Sequence, residues 1–259
     1  MMRMHIIQSK SNDIFRTLLS EISLAGAQRK KTLIIGDTLI QAWKDAQHHP
    51  GARRLKASQW IQLEGSVDHP LQSELSLSGL CLSDTCMREL TDMASPPNHA
   101  LVVTLEPEST EPFGSFVVGA WGIQDPGNLG AIGRSALAFG CQEILLGPGT
   151  ADPFSPKAIR GSMGASFLIS FRRCTKVPQD AGAWIALDGS PSATPLDQAP
   201  LKKPLRLLVG NEGHGWQGVT LPPHVQRVSI PIQNVESLNA AVALGLVCFE
   251  VARREKNGR

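Results

Sequence analysis

The sequence contains no tyrosine among its 259 residues, and its five tryptophans are spread along the chain. Flipped-out nucleic-acid bases usually stack on aromatic side chains, so the sequence offers no obvious platform for such stacking. It also has no apolar run of about 18 residues, so we expect no membrane span. Its first residues, MMRMHIIQSK, lack the apolar core of a secretory signal.

Cysteine is scarce and scattered. The five cysteines form no CxxC pair, which argues against a disulfide framework or a zinc site. Cys81, Cys86 and His99 could in principle hold a metal ion, but zinc ligands are usually spaced more tightly. We therefore expect buried or free thiols, no metal site and a reducing, cytoplasmic location.

Net charge is also low, at +2, but it is unevenly distributed. Residues 1–56 hold ten Lys/Arg against four Asp/Glu, whereas residues 57–100 hold one basic residue against six acidic ones. A basic N-terminal face can simply be solvated, or it can face RNA. The cluster of Arg29, Lys30 and Lys31 is the candidate RNA-binding group.

The order of predicted elements indicates an α/β fold. Amphipathic helices are predicted over 11–25 and 38–47. Strands and helices alternate from residue 113 to the end, with a strand predicted over 166–171 and Gly140 expected just past the helix 131–139. Such alternation is typical of an open, mostly parallel sheet. We divide the chain into a small α/β domain (1–98), a first strand and linker (99–112) and a larger domain (113–259).

Three segments of the larger domain place polar groups at strand ends or helix starts. They are the predicted turn at 124–130 with the helix 131–139 after it, the loop Gly210 to Trp216 after the strand 205–209, and the segment 228–243. Each has a simpler interpretation: a tight turn, a glycine turn, and a helix capped by Ser237 or Glu236. The loop GNEGHG fits neither the dinucleotide nor the P-loop signature. Together, a guanidinium, a carboxylate and amides around a glycine-lined slot suit a phosphate and a polar substrate.

These segments resemble the three motifs of the SpoU (TrmH) family of RNA ribose methyltransferases. Asn128-Leu-Gly-Ala-Ile-Gly-Arg134 is similar to the first motif, Leu208-Val-Gly-Asn-Glu-Gly-His-Gly215 to the second, and Ile230-Pro-Ile-Gln-Asn-Val-Glu-Ser-Leu-Asn239 to the third. The resemblance covers roughly 113–254. More weakly, the N-terminal part is similar to the ribosomal-protein-like RNA-binding domain that precedes many family catalytic domains.

The resemblance implies a SPOUT-type fold, in which a mostly parallel sheet ends in a trefoil knot, a rare exception to the rule that chains do not thread. It implies S-adenosylmethionine as methyl donor, RNA as substrate and a homodimer as the active unit. Ribosomal RNA is favoured over tRNA because an N-terminal RNA-binding domain precedes the catalytic part.

The resemblance also implies roles for individual residues. Arg134 corresponds to the family's catalytic arginine. We expect it to bind a phosphate and stabilise an alkoxide rather than act as a base, because guanidinium does not lose its proton in proteins. Asn128 is expected to orient Arg134, and Glu212, Ser237 and Asn239 to position active-site partners. The cofactor slot is expected to be lined by Leu208, Val209, Gly210, Asn211, Gly213, Ile230, Ile232 and Leu238.

Two segments depart from the family pattern. Gln233-Asn234 replaces a glycine of the third motif, although Asn234 can adopt the left-handed conformation that such a turn needs. Trp216 stands where a smaller residue is usual and is expected to anchor the core. The alternatives are a tRNA methyltransferase, a methyltransferase acting on a base nitrogen, and a knotted RNA-binding protein with weak or lost catalysis.

Overall fold

Two β-sheets, formed one after the other along the chain, organise the fold. The structure is a computed structural model that describes residues 5–49, 55–106 and 113–258. The strands are β1 (His5–Ile7), β2 (Lys31–Ile35), β3 (Lys56–Leu63), β4 (Gly79–Leu82), β5 (His99–Thr104), β6 (Phe116–Ala120), β7 (Glu143–Leu146), β8 (Ser170–Arg173), β9 (Ala183–Leu187), β10 (Thr194–Pro195), β11 (Leu205–Val209) and β12 (Val225–Ser229). The helices are α1 (Asp13–Ser23), α2 (Asp37–Ala46), α3 (Pro70–Leu75), α4 (Asp84–Thr91), α5 (Pro126–Ala138), α6 (Pro156–Ser162) and α7 (Ala240–Lys256).

The first sheet has five strands in the order β1-β4-β3-β5-β2 and is mixed, because β5 runs antiparallel to β2 and β3. Strand β5 lies beyond residue 98, the predicted domain boundary, yet it pairs along its length with β2. The first sheet therefore extends to Thr104. Except for Glu106, the predicted linker over 106–112 lies outside the described residues.

The second sheet has seven strands in the order β10-β12-β9-β11-β6-β7-β8, and every pair in it is parallel. The predicted mostly parallel α/β sheet is thus confirmed. Strand β11 lies near its middle and all five of its residues are buried, as expected for a parallel strand covered on both faces. The carboxyl ends of β9, β11, β12 and β6 consequently meet at one edge, where open α/β sheets bind ligands.

Both faces of the seven-stranded sheet are buried, but by different structures. Helices α5 and α7 pack on one face, where Ile132 and Leu244 join Val118 and Leu207 of the strands. The other face is covered by loop segments and by Trp121, Trp184 and Trp216. Trp216 is 8% exposed, and its Nε1 donates to the Leu187 carbonyl at 2.7 Å. The prediction that Trp216 anchors the core is confirmed.

The two sheets are joined by buried contacts. Ile159 of α6 and Phe167 lie in one apolar cluster with Ile34 of β2 and Leu101 of β5. The Thr32 hydroxyl donates to the Phe154 carbonyl at 2.5 Å. The five-stranded sheet is therefore packed against the segment that supports α5.

Some sequence-predicted elements differ from the structure. The strand predicted over 166–171 is wrong in its first half, because Ala165–Phe167 forms a 3-10 turn and β8 begins at Ser170. The serine hydroxyls of Ser162 and Ser166 bond to each other at 3.0 Å and hold that turn. Gly140 follows α5 with φ of +85°, which confirms its predicted place just past the helix end.

In the described part of the chain, no helix has the length and apolar character that crossing a membrane requires.

Candidate active site

A cavity of about 330 Å³ lies at the carboxyl edge of the seven-stranded sheet. The loops after β9, β11 and β12 form its walls, and the start of α7 closes it. Seven of the eight residues predicted to line a cofactor slot do line this cavity, namely Val209, Gly210, Asn211, Gly213, Ile230, Ile232 and Leu238. The eighth, Leu208, is fully buried in the core on the other face of the sheet.

The loop after β11 is held in one shape by hydrogen bonds to Asn211. The Asn211 and Gly215 main chains exchange two hydrogen bonds, at 3.1 and 2.9 Å. The Asn211 side-chain oxygen accepts from the Gly213 and His214 amides, both at 2.9 Å, while its Nδ2 donates to the Gly122 carbonyl at 2.8 Å. The loop is therefore a preorganised wall of the cavity and is tied to the end of β6.

Gly210 permits this arrangement because a side chain would not fit there. A Cβ atom at Gly210 would lie 2.8 Å from the Gly215 carbonyl oxygen and 3.1 Å from the Trp216 ring. Contacts below 3.0 Å force the backbone to move, so the close approach of 210 to 215 requires glycine.

Three of the predicted catalytic side chains form one hydrogen-bonded row. Asn128 Nδ2 donates to Glu212 Oε1 at 2.9 Å, and Asn239 Nδ2 donates to Asn128 Oδ1 at 3.1 Å. The three residues come from α5, from the loop after β11 and from the start of α7. The structure thus brings together residues 84 and 111 positions apart in the chain.

Asn128 lies inside a helix rather than in a turn, so the prediction of a turn over 124–130 is wrong. Helix α5 begins at Pro126, and the Asp125 side chain caps it by accepting from the Asn128 amide at 2.9 Å. Proline is well suited to the first helical position because its missing N–H would have no partner there. A hydrogen bond from Lys157, with the one from Asn128, holds the pKa of Asp125 below its ordinary value.

Arg134 is exposed on α5, two turns from its start. Among the described residues its side chain has no hydrogen-bond or ion-pair partner, and it does not line the cavity. Asn128 bonds to Glu212 and Asn239 rather than to Arg134, so its expected role in orienting Arg134 stays a prediction. The guanidinium is free to meet a substrate from solvent.

Helix α7 is capped by Asn239, not by Ser237 or Glu236. Asn239 Oδ1 accepts from the Ala241 and Val242 amides at 2.9 and 3.3 Å while its Nδ2 bonds to Asn128. Ser237 is exposed and lines the cavity. Asn234, in the altered third segment, has φ of +64°, which confirms the predicted left-handed turn.

Sequence reasoning missed Asp188, which follows β9 and lines the cavity. Its Oδ1 accepts from the Ser190 amide at 3.0 Å, and its Oδ2 accepts from Arg227 Nη1. Burial alone would raise the pKa of Asp188, but these hydrogen bonds outweigh burial and hold the pKa below its ordinary value. The available signal was its position, an acid at the carboxyl end of a strand next to β11.

The cavity is acidic. Three carboxylate residues line it, Asp188, Glu212 and Glu236, and no Lys, Arg or His is among the described residues of its wall. Such a lining favours a ligand that carries positive charge and disfavours one that carries phosphates.

The predicted RNA-binding group is split by the structure. Arg29 is not available to a phosphate: its guanidinium is 6% exposed and forms an ion pair of 2.6 Å with Asp152, whose side chain is 9% exposed. Lys31 is paired with Glu21 at 2.7 Å. Lys30 is the exposed member. The described residues contain no group of His, Cys, Asp or Glu that could hold a metal ion.

A family described as the SpoU rRNA Methylase family matches residues 115–249. The chain is 29% identical over 233 residues to the 23S rRNA (guanosine(2553)-2′-O)-methyltransferase RlmP of Bacillus subtilis, covering 86% of this chain and 90% of that protein. It is 33% identical over 140 residues to an uncharacterized tRNA/rRNA methyltransferase of Synechocystis, and spans about half of that relative's length (51%).

Solved structures share the fold. An RNA 2′-O ribose methyltransferase matches 97% of this chain and 99% of its own with a TM-score of 0.76, at 24% identity. The SpoU methyltransferase AviRb of Streptomyces viridochromogenes, in complex with AdoMet, matches 96% of this chain and 100% of its own, also with a TM-score of 0.76, at 21% identity.

Proposed function

Because the chain belongs to the SpoU rRNA methylase family, we propose that it transfers the methyl group of S-adenosylmethionine to a ribose 2′-hydroxyl of RNA. The observation that carries this proposal is the row Asn239–Asn128–Glu212, which connects α7, α5 and the loop after β11 beside the cavity. These are the positions at which the sequence matches the three family motifs.

The cavity suits the proposed methyl donor. S-adenosylmethionine carries a sulfonium and an ammonium group against one carboxylate, so its net charge is positive, and it has no phosphate. The acidic wall matches that charge, and the aliphatic side chains of Ile230, Ile232 and Leu238 offer apolar surface for an adenine ring. Residues Gly210 to Gly213 bring backbone close to the ligand.

The chain's residues then have to activate and align a weak nucleophile. In the reaction an O–CH₃ bond forms, the S–CH₃ bond breaks with its electron pair going to sulfur, and the hydroxyl proton leaves. Arg134 stabilises the developing alkoxide and binds the neighbouring phosphate, and the proton passes to phosphate or water. Glu212 is held by Asn128 at the rim of the cavity and aligns the reactants, a contribution that can reach several kcal/mol.

We propose ribosomal RNA as the substrate, in the cytoplasm. The five-stranded sheet and its helices precede the catalytic part as an RNA-binding domain would, with Lys30 exposed beside β2. The relative from Bacillus, named for 23S rRNA, matches over 86% of this chain, including much of that domain. A tRNA substrate and a knotted RNA-binding protein without catalysis remain the competing functions. The trefoil knot itself stays a prediction.

We propose a homodimer as the active unit, assembled through α7. Val242, Leu246 and Phe249 lie at spacings of four and three residues and are each about half exposed (52%, 45% and 54%). Phe139, directly after α5, extends this stripe, with its ring 6.2 Å from that of Phe249. Light scattering should give twice the chain mass for the wild type and the single mass for Leu246→Glu. A monomeric wild type contradicts the dimer.

Two experiments test the activity. Calorimetry at micromolar protein and millimolar S-adenosylmethionine should detect binding. The absence of binding would refute the proposed enzymatic activity. Mapping of 2′-O-methyl sites in RNA from cells with and without the gene should then find one or more sites that depend on the protein. Methylation sites found in tRNA alone would refute ribosomal RNA as the substrate. Binding of S-adenosylmethionine without any dependent methylation site would favour the RNA-binding protein.

A further inference from the structure

Asp188 lines the middle of the cavity but lies outside the three segments that match the family motifs. Strand β9, which it follows, lies between β11 and β12 in the sheet. Its side chain therefore stands between the loop Gly210 to Gly213 on one side and Ile230 on the other, and it lines the cavity with both.

The carboxylate is fixed and charged. The Ser190 amide and the Arg227 guanidinium each donate to one of its oxygens, and the side chain is only 14% exposed. These same bonds hold the pKa of Asp188 below its ordinary value against the effect of burial. A carboxylate has about four acceptor positions, so these two hydrogen bonds leave capacity for a ligand.

We propose that Asp188 accepts hydrogen bonds from the ribose 2′- and 3′-hydroxyls of the methyl donor, an inference that rests on the proposed function for the identity of that nucleoside. Two adjacent hydroxyls match two adjacent oxygens that can only accept. An acid at the end of a parallel strand binds ribose hydroxyls in the same way in dinucleotide-binding α/β folds.

The ion pair with Arg227 favours the ribose hydroxyls of the donor over its ammonium group as the ligand of Asp188. Its guanidinium already balances the charge of Asp188, so a second cation placed there would be repelled by Arg227. A neutral hydroxyl has no such cost. Glu236 and Glu212 line the cavity without a basic partner among the described residues and are better placed for the cationic end.

Calorimetry with four ligands tests the assignment: S-adenosylhomocysteine, its 2′-deoxy and 3′-deoxy forms, and 5′-methylthioadenosine, which keeps the ribose but lacks the amino acid. The wild type should bind each deoxy form roughly 10- to 100-fold more weakly than S-adenosylhomocysteine, as for a hydrogen bond to a charged group. Asp188→Asn should weaken S-adenosylhomocysteine and 5′-methylthioadenosine by equal factors and add little to the loss seen with the deoxy forms.

Glu236→Gln is the matched control, because it removes an exposed carboxylate from the same cavity, and it should leave the ribose discrimination unchanged. Asp188→Glu keeps the charge toward Arg227 but moves the carboxylate, and it should lose the discrimination even if Asp188→Asn does not fold. Thermal melting identifies folded variants.

Three outcomes overturn the assignment. The wild type could bind the deoxy forms as tightly as S-adenosylhomocysteine, or the affinity lost in Asp188→Asn could simply add to the affinity lost with the deoxy forms. An effect of Asp188→Asn on S-adenosylhomocysteine but not on 5′-methylthioadenosine would indicate that Asp188 binds the ammonium group. A wild type that binds S-adenosylmethionine but not its ribose hydroxyls refutes this inference alone. A wild type that binds none of the ligands refutes the proposed function instead.

Discussion

At the scale of single residues, Asn128 shows how one side chain can join three elements. Its amide nitrogen donates to Glu212 and its oxygen accepts from Asn239. An asparagine and an arginine in one motif do not therefore have to contact each other. The freedom of Arg134 on the surface of α5 is the condition for its proposed role, since it can reach a phosphate and an alkoxide only if no protein acid holds it.

Replacing Arg134 by alanine should reduce methyl transfer by about 100-fold or more, the usual scale for removing a group that stabilises an oxyanion. S-adenosylmethionine affinity should change by less than about twofold, because Arg134 does not line the cavity. Single-turnover transfer and calorimetry measure the two effects. Arg134→Lys, which keeps the charge without the planar fork, should recover only part of the rate. Transfer by Arg134→Ala at the wild-type rate would refute the role.

Two glycines of the loop after β11 distinguish the effect of a backbone clash from the effect of adding a methyl group to the loop. Gly210→Ala should weaken S-adenosylmethionine binding by at least about tenfold, because its Cβ would collide with the Gly215 carbonyl and distort the cavity wall. Gly213→Ala is the control, since its Cβ would meet no atom closer than 3.7 Å. Calorimetry measures both affinities. Equal affinities for the two variants would show that the close approach at 210 is not required.

Residue types at the site could be predicted from the sequence, but their contacts could not. Asn128, Glu212 and Asn239 were chosen by motif resemblance, and hydrogen bonds across 84 and 111 residues depend on the sheet order. Asp188 carries no spacing signature, so only the order of β12, β9 and β11 reveals it. The Leu208 side chain lies outside the cavity wall because alternate residues of a strand face opposite sides of the sheet.

At the scale of elements, the start of a helix was the hardest feature to predict. Asp125-Pro-Gly is typical of a turn, but the same residues supply an N-cap and a proline at the first helical position. At α7, Glu236, Ser237 and Asn239 can all cap a helix, and the contact of Asn239 with Asn128 coincides with the cap that forms. Strand β11, by contrast, was predicted at its observed bounds because its apolar run is continuous.

The C-terminal half of α7 provides a pH-dependent test. Hydrogen bonds from Arg253 and then Arg254 lower the pKa of Glu250 to about 2, and Arg254 also donates to the Ala199 and Leu196 carbonyls. A lowered folded pKa stabilises the protein above the unfolded pKa of about 4.3, and this stability is lost as pH falls toward 2.

Glu250→Gln should therefore lower the free energy of unfolding by about 0.5 kcal/mol at pH 7, as for a partly exposed ion pair. The difference from the wild type should shrink steadily below about pH 4. Urea denaturation over a pH series measures it. A difference that is constant from pH 7 to pH 3 would show that Glu250 acts through packing and not through its charge.

At the scale of the whole molecule, the basic residues of the N-terminal region have different surroundings. Arg29 anchors the five-stranded sheet to Asp152, whereas Lys30 faces solvent. The sequence predicts a basic cluster but cannot distinguish these neighbours, because the partner of Arg29 lies 123 residues away.

Substitutions at the two positions should have different effects. Arg29→Gln should lower the free energy of unfolding by about 3–5 kcal/mol, since it leaves Asp152 buried without its cation. Lys30→Gln should leave stability unchanged and reduce the salt dependence of RNA binding by about one phosphate contact. Urea denaturation and RNA binding at several salt concentrations measure these effects. Wild-type stability in Arg29→Gln would contradict the anchoring role.

The anchored contact between the two sheets also has a geometric consequence. Segment 152–167 packs against the five-stranded sheet through Ile159 and Phe167 and against α5 through Ala158 and Ser162. The distance between the exposed Lys30 beside β2 and Arg134 on α5 is therefore fixed by packing. An RNA bound at Lys30 would place beside Arg134 only a nucleotide at a set distance from that contact. The fold would in this way select the target nucleotide by its distance from the bound segment of RNA.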